Sequence, residues 1–282
     1  MPRTSCVTVL ALVLLVPGRV AAQQRPLVTE DPETVGAGLI LLEGGVDYAR
    51  EVEYPASGLT GNLWRLPTLG ISLGLSSIAE LQIDGGVLDR LDITGRVDAP
   101  LADLLQIDEP RTSSIPDMVV ATKIRLAGET AGRPAFGVRL ATKLPLASAE
   151  DGLGLGTTDF YLAVLVGKTV QSVRVVGNVG AGLLGDPIHG HSHNDVIVYG
   201  VSVARAVAVG LEVVGEVSGR VGTGSGEPPP GTENRANMRV GARYTRGAAR
   251  VDAGVLVGMT ALDPSIGFTL GFTYVFSAFR MP

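Results

Sequence analysis

The side chains with the most evident reactive potential lie in one short stretch. His189, His191 and His193 alternate in His-Gly-His-Ser-His, with Ser192 among them and Asp186 and Asp195 on either side. Neutral imidazoles ligate zinc, copper or nickel, and alternation along an extended segment puts three rings on one side. Three histidines in an exposed loop are equally at home as solvated side chains. No metal is therefore expected, with His189, His191 and His193 as the alternative. Ser192 beside His191 invites a hydrolase reading, but nucleophilic catalysis needs a base within hydrogen-bond reach and a third group to orient it. Neighbours on an extended chain point to opposite faces, which opposes that pairing. No catalytic residue, enzymatic activity or cofactor is expected. The glycine-rich stretch 152–156 lacks the Lys-Ser/Thr of a phosphate loop.

A second set of chemically capable residues is spread through the chain at two-residue spacing. Between 234 and 245, Ala236, Met238, Val240, Ala242 and Tyr244 share one parity, while Arg235, Arg239 and Arg243 share the other. Phe160, Leu162, Val164 and Val166 likewise alternate with Asp159, Tyr161, Ala163 and Leu165. That period belongs to a strand between an apolar medium and a wet one. On the same parity argument Lys123, Arg125, Arg139 and Lys143 share the polar side, as do Glu43, Asp47, Glu80 and Asp84. Glu212 and Glu216 complete the set. If the apolar side faces hydrocarbon, these charges must face a lumen, because Lys or Arg at a bilayer midplane costs about 2–4 kcal/mol. There they would set a transverse field that orients a passing solute, or pair with one another across a plugged interior.

The elements that must position them are strands. Twelve segments follow from the strand signals, near 37–53, 62–75, 79–92, 117–127, 134–146, 157–168, 172–185, 194–206, 209–221, 234–246, 249–260 and 265–279. Their connections alternate. Very short ones (76–78, 169–171, 207–208, 247–248) separate longer ones, of which 93–116 is the longest. An even-stranded outer-membrane barrel has this asymmetry, with short periplasmic turns and long outer loops. Closure also pairs every backbone group, which hydrocarbon demands. The predicted fold is all-β, a single antiparallel transmembrane β-barrel of about twelve strands in meander order. A soluble secreted sandwich is the alternative. The apolar 93–116 link is read as a loop folded back over the mouth or as a lid against lipopolysaccharide.

The chain's 282 residues include 38 glycines, nearly twice the roughly 7% of ordinary proteins. Dense glycine suits strand bending and small inward positions. A net charge of −5 argues against nucleic acid as a partner, and the lone Cys6 excludes a disulfide framework. Arg3, an apolar stretch from Val7 to Val16 and the small residues Ala21-Ala22 read as a signal peptide over 1–22. The barrel domain is then 23–282, with 23–36 as a periplasmic N-terminal lead-in. Aromatic residues are only 5% of the chain, few for interfacial girdles, although Phe268, Phe272, Tyr274 and Phe276 crowd the last strand. Tyr48, Tyr54, Trp64 and Tyr244 lie near strand ends.

Several motifs also resemble one family. Arg25-Pro26-Leu27-Val28-Thr29-Glu30-Asp31-Pro32 precedes a strand with Leu41-Leu42-Glu43-Gly44; Pro67-Thr68-Leu69-Gly70 and Ala79-Glu80-Leu81 follow. Asp151-Gly152-Leu153-Gly154, Gly156-Thr157-Thr158-Asp159 and Gly271-Phe272-Thr273-Tyr274-Val275-Phe276 complete the match. The set resembles the outer-membrane transporter family that carries the label MetA-pathway of phenol degradation. The resemblance implies carriage of hydrophobic or aromatic small molecules and brings no catalytic residues. The expected function is passive passage of such solutes through a Gram-negative outer membrane. The expected partners are outer-membrane lipid and lipopolysaccharide, the barrel-assembly machinery and the solute. The rival expectation is a structural or adhesive barrel with a blocked lumen.

Overall fold

A computed structural model describes residues 25–279. The 1–22 stretch read as a signal peptide lies outside the described residues. The alternating segments form β1 (Leu39–Tyr54), β2 (Leu59–Gly74), β3 (Ala79–Gly86), β4 (Asp89–Arg96), β5 (Arg111–Ser114), β6 (Met118–Ala127) and β7 (Ala135–Leu144). They continue as β8 (Asp159–Val170), β9 (Val173–Gly185), β10 (His193–Ala208), β11 (Leu211–Gly222), β12 (Arg235–Arg246), β13 (Ala249–Gly258) and β14 (Ile266–Ser277). All belong to one antiparallel sheet, and β1 pairs with both β2 and β14. The β1–β14 ladder runs from Leu39↔Ser277 to Arg50↔Ile266 and closes the sheet on itself. Closure removes the free edges that an open sheet would present.

Two wall strands are interrupted. β3 and β4 pair with successive stretches of β2, and β6 and β5 pair with β3 and β4 in turn. Asp84↔Val119 and Asp89↔Ser114 keep a single register across the break, so each pair is one strand and the wall has twelve. Pro116 sits in this interval, and a proline has no N–H to give the ladder. The strands predicted at 79–92 and 117–127 are consequently longer than expected. They extend to Arg96 and begin at Arg111, and the connection between them shrinks to 97–110.

The two faces differ as the alternation requires. Phe160, Leu162, Val201, Val240, Leu270 and Phe272 are exposed on the outside, whereas Leu165, on the opposite parity from Phe160 in β8, is buried. A contiguous apolar exterior far exceeds what a soluble monomer leaves in water. Phe272, Tyr274 and Phe276 stack in series on that exterior, and Tyr48 meets Trp64 at 4.7 Å. Tyr54 departs from the expected girdle. A bulge between Ala49 and Val52, with Glu51 at φ 57°, shifts the register of β1. Beyond it Val52 and Tyr54 turn inward onto Leu59, Leu63 and Leu91.

Connections 75–78, 128–134, 171–172, 209–210 and 247–248 share one rim, and 55–58, 97–110, 145–158, 186–192, 223–234 and 259–265 share the other. The 97–110 and 145–158 loops meet at that rim, beside β1, β2 and β4. Gln106 N–H donates to the Glu150 carbonyl at 3.0 Å, and Thr112 Oγ1 donates to the Asp151 carbonyl at 2.9 Å. Leu105, Ile107 and Leu153 pack onto the Leu59–Leu63–Leu91 cluster. These apolar side chains fix the loops because leaving them in water would forfeit their burial.

Candidate functional site

The strand register brings charges of opposite sign face to face inside the barrel. Glu80 of β3 is opposite Lys123 of β6, Lys143 of β7 is opposite Asp159 of β8, and Glu216 and Glu212 of β11 are opposite Arg239 and Arg243 of β12. Each facing pair closes. The separations are 2.9 Å for Lys123–Glu80, 2.9 Å for Lys143–Asp159, 3.0 Å for Arg239–Glu216 and 2.7 Å for Arg243–Glu212. Lys123 and Glu80 are fully buried. Such a pair holds only because each partner cancels the other's desolvation.

The remaining residues singled out by parity are also engaged. Arg139 donates to Gln82 at 2.8 Å and lies 3.7 Å from Asp84. Glu43 accepts from Thr273 at 3.3 Å, and Arg235 donates to the Glu53 carbonyl at 3.3 Å. Asp47 and Arg125 find partners outside the sheet, in a segment that parity reasoning did not address.

That segment is residues 25–36. These residues, expected as a lead-in ahead of the barrel, touch side chains from strands all round the wall and so lie within it. Arg25 meets Asp47 of β1 at 3.3 Å and Thr68 of β2 at 3.1 Å. Leu27 packs on Ala204 of β10 and Val214 of β11. The backbone N–H groups of Val28 and Thr29 donate to Glu216 at 2.9 and 2.5 Å. Glu30 meets Arg139 at 3.1 Å and Lys123 at 3.4 Å, and the Asn178 amide, oriented to match its partners, brackets the Glu30 backbone. Asp31 pairs with Arg174 at 2.7 Å, Glu33 pairs with Arg125, and the Val35 N–H donates to Glu80 at 2.7 Å. The physical reason is charge. The cations of β6, β7 and β9 need carboxylates, and Glu30, Asp31 and Glu33 supply them.

Above this segment, toward the long loops, a cavity of about 700 Å³ is floored by Arg25, Leu27 and Thr29 and walled in part by Leu165, Tyr161 and Arg220. A second cavity of about 310 Å³ reaches Asp47, Leu63 and Phe268. Arg25, Val28 and Arg239 border both.

The histidine stretch sits at the loop rim. Among the described residues no group of three or more His, Cys, Asp or Glu side chains is arranged to hold a metal. His189 Nδ1 turns to Asp186 at 3.2 Å, while His193 Nε2 lies 3.3 Å from Asp195. Ser192 Oγ donates to Asp186 at 2.6 Å. The carboxylate therefore stands between the serine and His189, whereas an activated serine needs the imidazole in that place. The Ser192 hydroxyl, followed by the backbone N–H of His189, holds the Asp186 carboxyl well below the usual carboxylate range. Asp186 thus organises a loop.

No protein-family model and no curated protein matches the sequence. The fold does match solved structures. The COG4313 outer membrane channel from Pseudomonas putida F1 superposes with a TM-score of 0.60 at 16% identity, over 87% of this chain and 98% of that one. The NanC porin superposes with a TM-score of 0.53 at 8% identity, over 83% of this chain and 98% of that one. At these identities the likeness is one of architecture.

Proposed function

We propose that this barrel spans the outer membrane of a Gram-negative bacterium and lets small hydrophobic or aromatic solutes pass passively down their gradient. The observation that carries the reading is the apolar outer face of a closed sheet around an ion-paired interior with a cavity of about 700 Å³. Leu27, Val28, Ala141 and Leu165 give that cavity apolar surface, and charged groups interrupt it. This mixture suits a mostly apolar solute with one polar group. The channel and porin described for the architectural neighbours agree with passage. In this reading residues 1–22 direct export, outer-membrane lipid and lipopolysaccharide surround the wall, and the assembly machinery inserts it. The inward charges orient the solute.

One observation favours a second reading, a structural or adhesive barrel with a blocked lumen: residues 25–36 lie inside the wall and are tied to it by ion pairs. Planar-bilayer recording of the folded protein and of a variant lacking residues 25–35 separates the two. A channel gives ion current that small aromatic solutes interrupt and glucose does not, with a larger current after the deletion. Silence from both folded proteins would overturn the channel. Arg239→Ala should shift the ion selectivity of an open lumen, and an unchanged reversal potential counts against a role for the inward charges.

A further inference from the structure

The Arg25 guanidinium is held in the interior as a receptor holds a ligand. Nη1 donates to Thr68 Oγ1 at 3.1 Å. Nη2 reaches Thr269 Oγ1 at 2.7 Å, the Leu270 carbonyl at 3.2 Å and Asp47 Oδ1 at 3.3 Å. Nε lies 3.6 Å from Asp252 Oδ1. These partners belong to β1, β2, β13 and β14, the strands around the closure ladder, whereas Arg25 precedes the sheet altogether. Gly45 and Gly271 face each other across that ladder, and a Cβ on either would overlap the guanidinium. Thr269 Oγ1 also donates to Asp47 Oδ1 at 2.6 Å, so the wall itself orients that carboxylate.

Asp252 is the second, independent sign of a site. Its side chain is 0% exposed, yet neither carboxylate oxygen accepts a hydrogen bond among the described residues. Arg243 faces it in register from β12. A carboxylate so placed carries unspent acceptor capacity toward the slot.

We propose that this slot is a binding site for the guanidinium or primary ammonium group of a solute, with Arg25 as its tethered occupant. Two carboxylates, two hydroxyls and a carbonyl around a glycine-walled gap suit a planar, donor-only fork. Arg25 borders both cavities, so a cationic group that takes its place joins them. The inference goes beyond the channel reading and concerns occupancy, not passage.

Isothermal titration calorimetry of the detergent-folded full chain with guanidinium chloride reads occupancy directly, whether or not the barrel conducts. Arg25→Ala should bind one guanidinium saturably, and the wild type, its slot already filled, should bind at least about tenfold more weakly. Arg25→Ala/Asp47→Asn should lose about tenfold or more, the scale of one charge-assisted hydrogen bond. Tetramethylammonium, which has the charge and no donors, should give no saturable heat. If Arg25→Ala does not fold, Arg25→Gln vacates the charge while keeping most of the side-chain length. Absence of saturable heat in the folded Arg25 variant overturns the proposal, as does equal affinity in the wild type or after Asp47→Asn.

Discussion

Lys123 shows how far a single residue here depends on its opposite number. It is fully buried, with Glu80 at 2.9 Å and Glu30 at 3.4 Å. Lys123→Met would leave the buried Glu80 carboxylate without its cation and should cost about 3–5 kcal/mol in denaturant unfolding from micelles. Adding Glu80→Gln should recover part of that loss, and a double variant no more stable than the single one would refute the pairing. Asp186 makes a pH statement of opposite character. Its folded pKa is depressed by Ser192 and the His189 and Ile188 N–H groups, so its stabilisation of the loop is present above the ordinary Asp value of roughly 3.9. It is lost only as pH falls through the lower folded value. Amide exchange at Ile188 and His189, corrected for intrinsic rates, should therefore show unchanged protection from pH 7 down to about 4. Asp186→Asn should lower that protection at every pH.

At the scale of elements, alternation made the strands legible and also their facing. Met238, Val240 and Tyr244 are exposed, and Arg239 and Arg243 turn inward to Glu216 and Glu212. Backbone irregularities hid the parity or the length of three strands. The β1 bulge turned Tyr54 inward, and the break near Pro116 hid one end each of two wall strands. The 97–110 loop belongs to this scale too. Leu105 anchors it to the Leu59–Leu63–Leu91 cluster, so Leu105→Ser should free it from the strands beneath. A cysteine placed at Gln106 should then react with a maleimide several-fold faster than in the Leu105 background. Equal rates would show that the hydrogen bond from Gln106 N–H to the Glu150 carbonyl is enough to hold the loop.

For the whole molecule, the closed ladder between β1 and β14 couples residues more than 200 positions apart, and the segment ahead of β1 fills part of the space so enclosed. An apolar exterior of this extent should make the folded chain dependent on detergent or lipid. Transfer of folded protein to detergent-free buffer should precipitate it, and a soluble, folded monomer there would refute the membrane reading.

The amino-acid sequence by itself determined the alternation, the number of wall strands, the two classes of connection and the shared parity of most charges along their strands. Each follows from local rules, a two-residue period and the cost of charge in an apolar medium. The tertiary structure alone decided what those charges face. Arg25, Glu30, Asp31 and Glu33 looked like a polar leader, and an acidic run before the first strand beside a surplus of cations in 123–143 was the one available hint. Which partner a charge takes depends on curvature and closure, which bring β1 to β14 and the leader to all of them. No local period encodes a contact across a lumen.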